Sequence, residues 1–153
     1  RAYYDQFLML IFNDIESLGL WTHRKFIDLA QHASRPEIMK EIRYNHIPEV
    51  AAPAKFTFER TLEILVEELK KHCYLLGDNF TALDIHFLRD LEWAEALDWL
   101  RGNPHEELLR DYYDRVRTRE AYKTCWKLRQ PLDLSRRALN TFTPQHQKPP
   151  PGL

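Results

Sequence analysis

The chain has 153 residues, of which 44% are hydrophobic and 29% are charged, and its formal net charge is −1 at pH 7. This length and composition are typical of one globular domain with a substantial core and exclude an intrinsically disordered chain. The near-zero charge provides no electrostatic footprint for nucleic acid or for an anionic membrane surface. Two cysteines, Cys73 and Cys125, cannot make a disulfide framework, and no Cys/His spacing typical of a metal site occurs.

No signal peptide is visible, and no apolar run approaches the roughly 18 residues that a membrane-spanning helix needs. We therefore expect a cytoplasmic protein without a membrane segment, in the reducing compartment where free thiols are usual. The chain begins at Arg1, directly in a helical pattern. This start indicates a fragment from which an N-terminal part is missing.

The first predicted helix covers residues 2–18 and is apolar on more than one side. One stripe at helical spacing is formed by Leu8, Ile11, Ile15 and Leu18. A second line lies off that stripe and comprises Met9, Phe12 and Glu16. A second face on one helix indicates an interface, the wall of an apolar pocket, or ordinary core. Gly19 allows a break, and residues 21–32 are predicted as a continuation of this helix.

A short polar helix is predicted over 34–44, where Ser34 is a candidate N-cap with Glu37 three residues later. A longer amphipathic helix over 54–72 follows. Glutamates and a lysine occupy its solvent-facing side. Such a mixture of charges is typical of a solvated face rather than of a binding patch.

The most complete helix start in the chain is a capping box at 81–84. Thr81 occupies the N-cap position, and Asp84 at N3 can accept a hydrogen bond from the Thr81 backbone N–H. Phe80 and Ile85 flank this box as the two members of a hydrophobic staple. Because capping explains both the type and the position of Asp84, we prefer it to a catalytic carboxylate.

The remaining helices are predicted over 81–100, 105–117 and 118–128. Together the elements predict an all-α domain of about six or seven helices over residues 1–130, followed by a partly disordered or extended tail over 131–153. Glycine-rich phosphate loops, nucleophile elbows and zinc signatures are absent from the sequence. The residues by themselves therefore predict no catalytic group and no metal.

Three segments resemble, in the right order, cytosolic glutathione transferases. Residues 74–85, Tyr-Leu-Leu-Gly-Asp-Asn-Phe-Thr-Ala-Leu-Asp-Ile, resemble the pattern around the sixth helix of that family. Residues 103–123 resemble its seventh helix and its Arg-Pro-Ala-Tyr turn, with Glu120 in place of the usual proline. Residues 1–7 resemble the start of its fourth helix, and the Leu20-Trp21 pair is similar to bacterial-type members.

The resemblance implies the C-terminal helical domain of a two-domain detoxifying transferase. Its N-terminal thioredoxin-like domain, absent from this chain, would bind the co-substrate glutathione and activate its thiol. We therefore expect the isolated chain to be inactive. The helical domain would supply part of a homodimer interface and, at Met9, Phe12 and Glu16, the wall of a pocket for a small apolar electrophile. Two alternatives stay open on this fold: a non-catalytic binding or assembly module, and a carrier of apolar ligands.

Overall fold

The computed structural model describes residues 2–23, 47–129 and 149–152, and every regular element within these ranges is helical. Helix α1 covers residues 2–23, as α-helix over Ala2–Met9, π-helix over Leu10–Leu20 and α-helix over Trp21–His23. A 3₁₀ turn, Pro48–Val50, leads into α2. Helices α2 to α5 span Ala51–Leu69, Ala82–Ala96, Glu106–Arg117 and Glu120–Arg129.

The all-α prediction is confirmed by these elements. The predicted helix over 34–44 and all but the first turn of the one over 21–32 lie outside the described residues. None of the helices in the described ranges has both the length and the hydropathy that a bilayer crossing requires. Of the predicted tail over 131–153, the structure describes residues 149–152. There Pro150 is buried and Gly152 approaches the Lys123 ammonium of α5.

The middle of α1 is a π-helix, which sequence periodicity missed. The Trp21 backbone N–H donates to the carbonyl of Glu16, five residues earlier. The wider turn changes which side chains face the core. The buried set along α1 is Phe7, Ile11, Ile15, Glu16, Gly19 and Leu20. The predicted stripe is therefore wrong at Leu18, which is exposed.

Helix α1 continues through Gly19 into Trp21–His23, as the predicted continuation implies, and the break that Gly19 allows does not occur. A Cβ at Gly19 would lie 3.2 Å from the Phe58 Cβ and 3.4 Å from the Ala54 carbonyl oxygen. Both neighbours belong to α2, so this glycine allows two helices to approach closely and does not make a turn.

Contacts within the chain group it into two compact units, Arg1–Ile64 and Leu65–Leu153. The buried side chains of the first unit include Phe7, Ile11, Ile15, Phe58 and Leu62. Those of the second unit include Leu75, Phe87, Leu91, Tyr112, Val116 and Trp126. In the second unit α4 packs against α3 and against α5.

Helix α3 ends at Ala96, four residues before its predicted end. The Asp98 N–H donates to the Glu95 carbonyl (3.0 Å), and the Trp99 N–H donates to the Ala94 carbonyl (2.9 Å). This is a Schellman ending, with Asp98 at a φ of 58° in the position that glycine usually takes. The prediction placed the end at residue 100, just before the sequence Arg-Gly-Asn-Pro, because an aspartate is not the residue expected to end a helix in this conformation.

Candidate functional site

The Asp84 carboxylate is fully buried and accepts hydrogen bonds from three residues. Its Oδ2 accepts from the Thr81 N–H (2.7 Å) and the Thr81 hydroxyl (3.0 Å). Its Oδ1 accepts from the Leu75 N–H (3.1 Å) and the Tyr112 hydroxyl (2.9 Å). The structure thus contains the capping box and adds a link to α4 that the sequence did not reveal. Both carboxylate oxygens are occupied by the fold rather than presented to a ligand.

Tyr112 joins this cluster from α4, 28 residues away in sequence. Burial, and then the charge of Asp84, raise the pKa of the Tyr112 phenol above its usual range. The phenol therefore remains a hydrogen-bond donor to Asp84 throughout the physiological pH range.

Phe80 and Ile85 flank the capping box without forming a buried pair. The Ile85 side chain is 57% exposed. The Phe80 ring meets the Tyr74 ring edge-on at 5.5 Å and is covered by the Arg119 guanidinium. Both predicted staple residues line one groove in the second unit.

This groove, which we call the α3–α5 groove, has a volume of about 510 Å³. It opens between α3, the end of α4 and the start of α5. Its apolar lining consists of Phe80, Ile85, Leu88, Val116, Ala121 and Tyr122. Its polar lining consists of His86, Arg89, Glu92, Arg119 and Cys125. A mostly apolar concavity with a few polar groups is the usual form of a small-molecule site.

The three charged side chains that line this groove have different interaction partners. Arg89 forms an ion pair with the buried Asp90 (3.0 Å). Glu92 is buried and accepts a short hydrogen bond from the Tyr122 hydroxyl. Burial, and then the charge of Glu92, raise the pKa of the Tyr122 phenol, so that this donor stays protonated. The Arg119 guanidinium carbon lies 3.8 Å from the Phe80 ring centroid.

The three predicted pocket residues of α1 differ in their exposure to solvent. Met9 is 56% exposed and Phe12 is 36% exposed, whereas Glu16 is 9% exposed. The Glu16 Oε1 accepts a hydrogen bond from the Trp21 indole N–H at 3.0 Å. Met9 and Phe12 thus offer apolar surface, while Glu16 orients Trp21 within α1.

A second cavity, of about 380 Å³, lies in the first unit between α1 and α2. Its lining comprises Leu10, Asp14, Leu18, Phe56, Thr57, Arg60, Thr61 and Ile64. Leu18, Phe56 and Ile64 are exposed here. Sequence reasoning missed this surface because it predicted only one apolar face on the helix over 54–72. The available signal was that Phe56 and Ile64 lie off the stripe of Phe58, Leu62, Leu65 and Leu69.

Cys73 and Cys125 are both exposed free thiols. Within residues 2–23, 47–129 and 149–152, no cluster of three or more His, Cys, Asp or Glu side chains could hold a metal ion.

The described part of the chain is an all-α domain in which the buried helix α3 begins with a capping box. Comparison with family models matches residues 29–120 to the glutathione S-transferase C-terminal domain. The match covers more than half of the chain, so the chain belongs to this family of helical domains. Comparison with curated proteins and with solved structures gave no match.

Proposed function

We propose that this chain is the helical domain of a glutathione transferase-like protein acting on a small apolar electrophile in the cytoplasm. The family match over residues 29–120 carries the proposal. Because the matched family is named as a C-terminal domain, it supports an N-terminal partner domain. In our proposal that partner is thioredoxin-like, binds glutathione and lowers the pKa of its thiol, so that the thiolate attacks the electrophile.

The helical domain contributes the apolar wall against which the electrophile packs. We assign that wall to Met9, Phe12 and Glu16 on α1. The exposed surface of Met9 and Phe12 supports this assignment, since an apolar ligand that covers it removes it from water. Glu16 contributes indirectly, through its hydrogen bond to the Trp21 indole.

Replacing Phe12 with alanine is expected to raise the KM for a bulky aryl electrophile about fivefold, since roughly 1 kcal/mol of apolar contact is lost. The KM for glutathione should not change, because glutathione binds the other domain. Steady-state kinetics of the complete protein with each substrate varied in turn measure both values. Tyr3→Ala, at a more exposed aromatic of the same helix, is the matched control. Equal increases in both KM values would contradict the wall assignment.

The exposed apolar face of the first unit supports a homodimer interface. Leu18, Phe56 and Ile64 are exposed around the α1–α2 cavity, and isolated domains seldom leave such clusters in water. Asp14 and Arg60 line the same cavity with opposite charges. A two-fold axis brings the same patch of both copies together, so that each charge can meet its opposite in the second copy.

Ile64→Glu is expected to weaken dimerisation about 100-fold, because a carboxylate would have to be buried in an apolar interface. Sedimentation velocity over a concentration series measures this dissociation. Ile85→Glu makes the same change at an exposed isoleucine of the second unit and should leave the dimer intact. A monomeric unmodified protein, or equal dissociation of both variants, would rule out this interface.

A further inference from the structure

We propose that α1 has two registers, the observed π-helix over Leu10–Leu20 and an α-helix over the same residues, and that the Glu16–Trp21 hydrogen bond selects the first. In the α register Leu18 replaces Leu20 in the core. The inference rests on the hydrogen bonds and the burial along α1, within the first unit. It does not depend on whether the protein catalyses a transfer.

Side-chain hydrogen bonds along α1 join residues that are five positions apart. The Trp21 indole N–H donates to the Glu16 Oε1 at 3.0 Å. The Ser17 hydroxyl donates to the Phe12 carbonyl at 2.8 Å, and the Thr22 hydroxyl donates to the Ser17 carbonyl at 3.1 Å. In an α-helix, side-chain neighbours are three or four residues apart, and residues five apart are turned by about 140° from each other. These three bonds therefore belong to the π register, in which the backbone also bonds at a spacing of five.

The sequence of α1 also has the apolar spacing of an ordinary α-helix. The stripe that shares one face at that spacing consists of Leu8, Ile11, Ile15 and Leu18. The structure keeps Ile11 and Ile15 buried, but it exposes Leu18 and buries Leu20 completely. The two registers thus share their central core residues and differ by the exchange of one leucine for another. Neither register has a large advantage in apolar burial.

Other contributions to the free energy favour opposite registers. The π register is favoured by its side-chain hydrogen bonds and by the close approach of Gly19 to α2. The α register restores the ordinary backbone hydrogen bonds and returns the buried Glu16 carboxylate to water, where a charge is most stable. A π-helix of more than one turn is rare, and π turns are frequent at functional sites. Opposing contributions of this kind make a packed helix bistable.

A change of register would alter the surface of the first unit. Leu18 lines the α1–α2 cavity together with the exposed Phe56 and Ile64. In the α register Leu18 turns into the core, and this apolar cluster loses one of its members. Because the homodimer proposal uses the cluster, control of dimerisation by α1 rests on the proposed function, whereas the existence of two registers does not.

Hydroxyl-radical footprinting with mass spectrometry measures the register through the oxidation rate of Leu18 relative to Leu20. The Ile64→Glu background keeps association from protecting Leu18, so the result is independent of the dimer proposal. With Glu16 intact we expect Leu18 to be oxidised about tenfold faster than Leu20, because the π register dominates. Glu16→Ala should lower this ratio about tenfold, since the acceptor of the Trp21 indole is lost and the α register becomes populated.

Glu16→Gln is the matched control and should keep the ratio, because its amide oxygen can still accept the indole hydrogen bond. The double variant Ser17→Ala/Thr22→Val is a second test that leaves the buried side chains of α1 unchanged. It removes two of the bonds at a spacing of five and should lower the ratio about threefold.

Three outcomes would overturn the proposal. The first is a ratio that Glu16→Ala or the double variant leaves unchanged. The second is rapid and equal oxidation of both leucines in these variants, which would show that the bonds hold the helix folded without selecting its register. The third is an equal fall of the ratio in Glu16→Gln and Glu16→Ala, which would assign the effect to the charge of Glu16 instead of its hydrogen bond to Trp21.

Discussion

Replacing Asp84 with alanine is expected to lower the free energy of unfolding by about 3–5 kcal/mol. The change leaves the Thr81 and Leu75 N–H groups and the Tyr112 hydroxyl without their carboxylate acceptor. Buried donors without acceptors cost more than the bonds themselves contribute, because they have also lost water. For a chain of this size the melting midpoint should fall by about 10 °C. Urea denaturation and thermal unfolding by circular dichroism measure the two quantities.

Asp111→Ala, at an exposed aspartate of α4, is the matched control and should change stability by less than about 0.5 kcal/mol. Tyr112→Phe should cost about 1–2 kcal/mol by removing one of the donors to Asp84. In the double variant Asp84→Ala/Tyr112→Phe the two losses should not add, since the stranded hydroxyl is removed with its acceptor. A melting midpoint unchanged by Asp84→Ala would refute this structural role.

Replacing Gly19 with leucine is expected to destabilise the protein by about 2–3 kcal/mol. Even a Cβ at this position would lie 3.2 Å from the Phe58 Cβ, and the rest of a leucine side chain has no space between α1 and α2. Separating the helices would expose the buried apolar side chains that they share. Urea denaturation with a probe of helix content measures the loss.

Gly19→Ala serves as the conservative comparison. Its single methyl requires the neighbouring atoms to shift by a few tenths of an ångström. The helix propensity of alanine, about 1 kcal/mol better than that of glycine, offsets the cost of this shift. We therefore expect a change of less than about 1 kcal/mol. In the double variant Gly19→Leu/Phe58→Ala the loss of stability should be smaller than the sum of the two single losses, because the leucine fills space that the phenylalanine leaves. Strict additivity would show that Gly19 and Phe58 do not constrain each other.

The helix starts were the part of the fold most accessible to prediction. A capping box depends on residues three positions apart, so Thr81 and Asp84 identify it before any folding is considered. The helix over Glu106–Arg117 was predicted within one residue for the same kind of reason, since its apolar positions recur at helical spacing. The segments around these starts also carried the resemblance that the match over 29–120 supports.

The course of helix α1 was harder to predict from the sequence. A periodicity argument assumes 3.6 residues per turn throughout, and the π-helix over Leu10–Leu20 breaks that assumption. This is why Leu18 was predicted to be buried and Leu20 was not included in the stripe. It is also why Met9, Phe12 and Glu16 were placed on one line, although the structure buries Glu16 and exposes Met9.

The sequence by itself determined that this protein is helical, where most of its helices begin, and which family of domains it belongs to. Those properties depend on hydrogen bonds and periodicities within a few neighbouring residues. The tertiary structure alone decided that Tyr112 completes the Asp84 cluster and that Arg119 covers Phe80. These partners are 28 and 39 residues apart, and only the path of the chain brings them together. The α3–α5 groove therefore became visible only once the helices were packed.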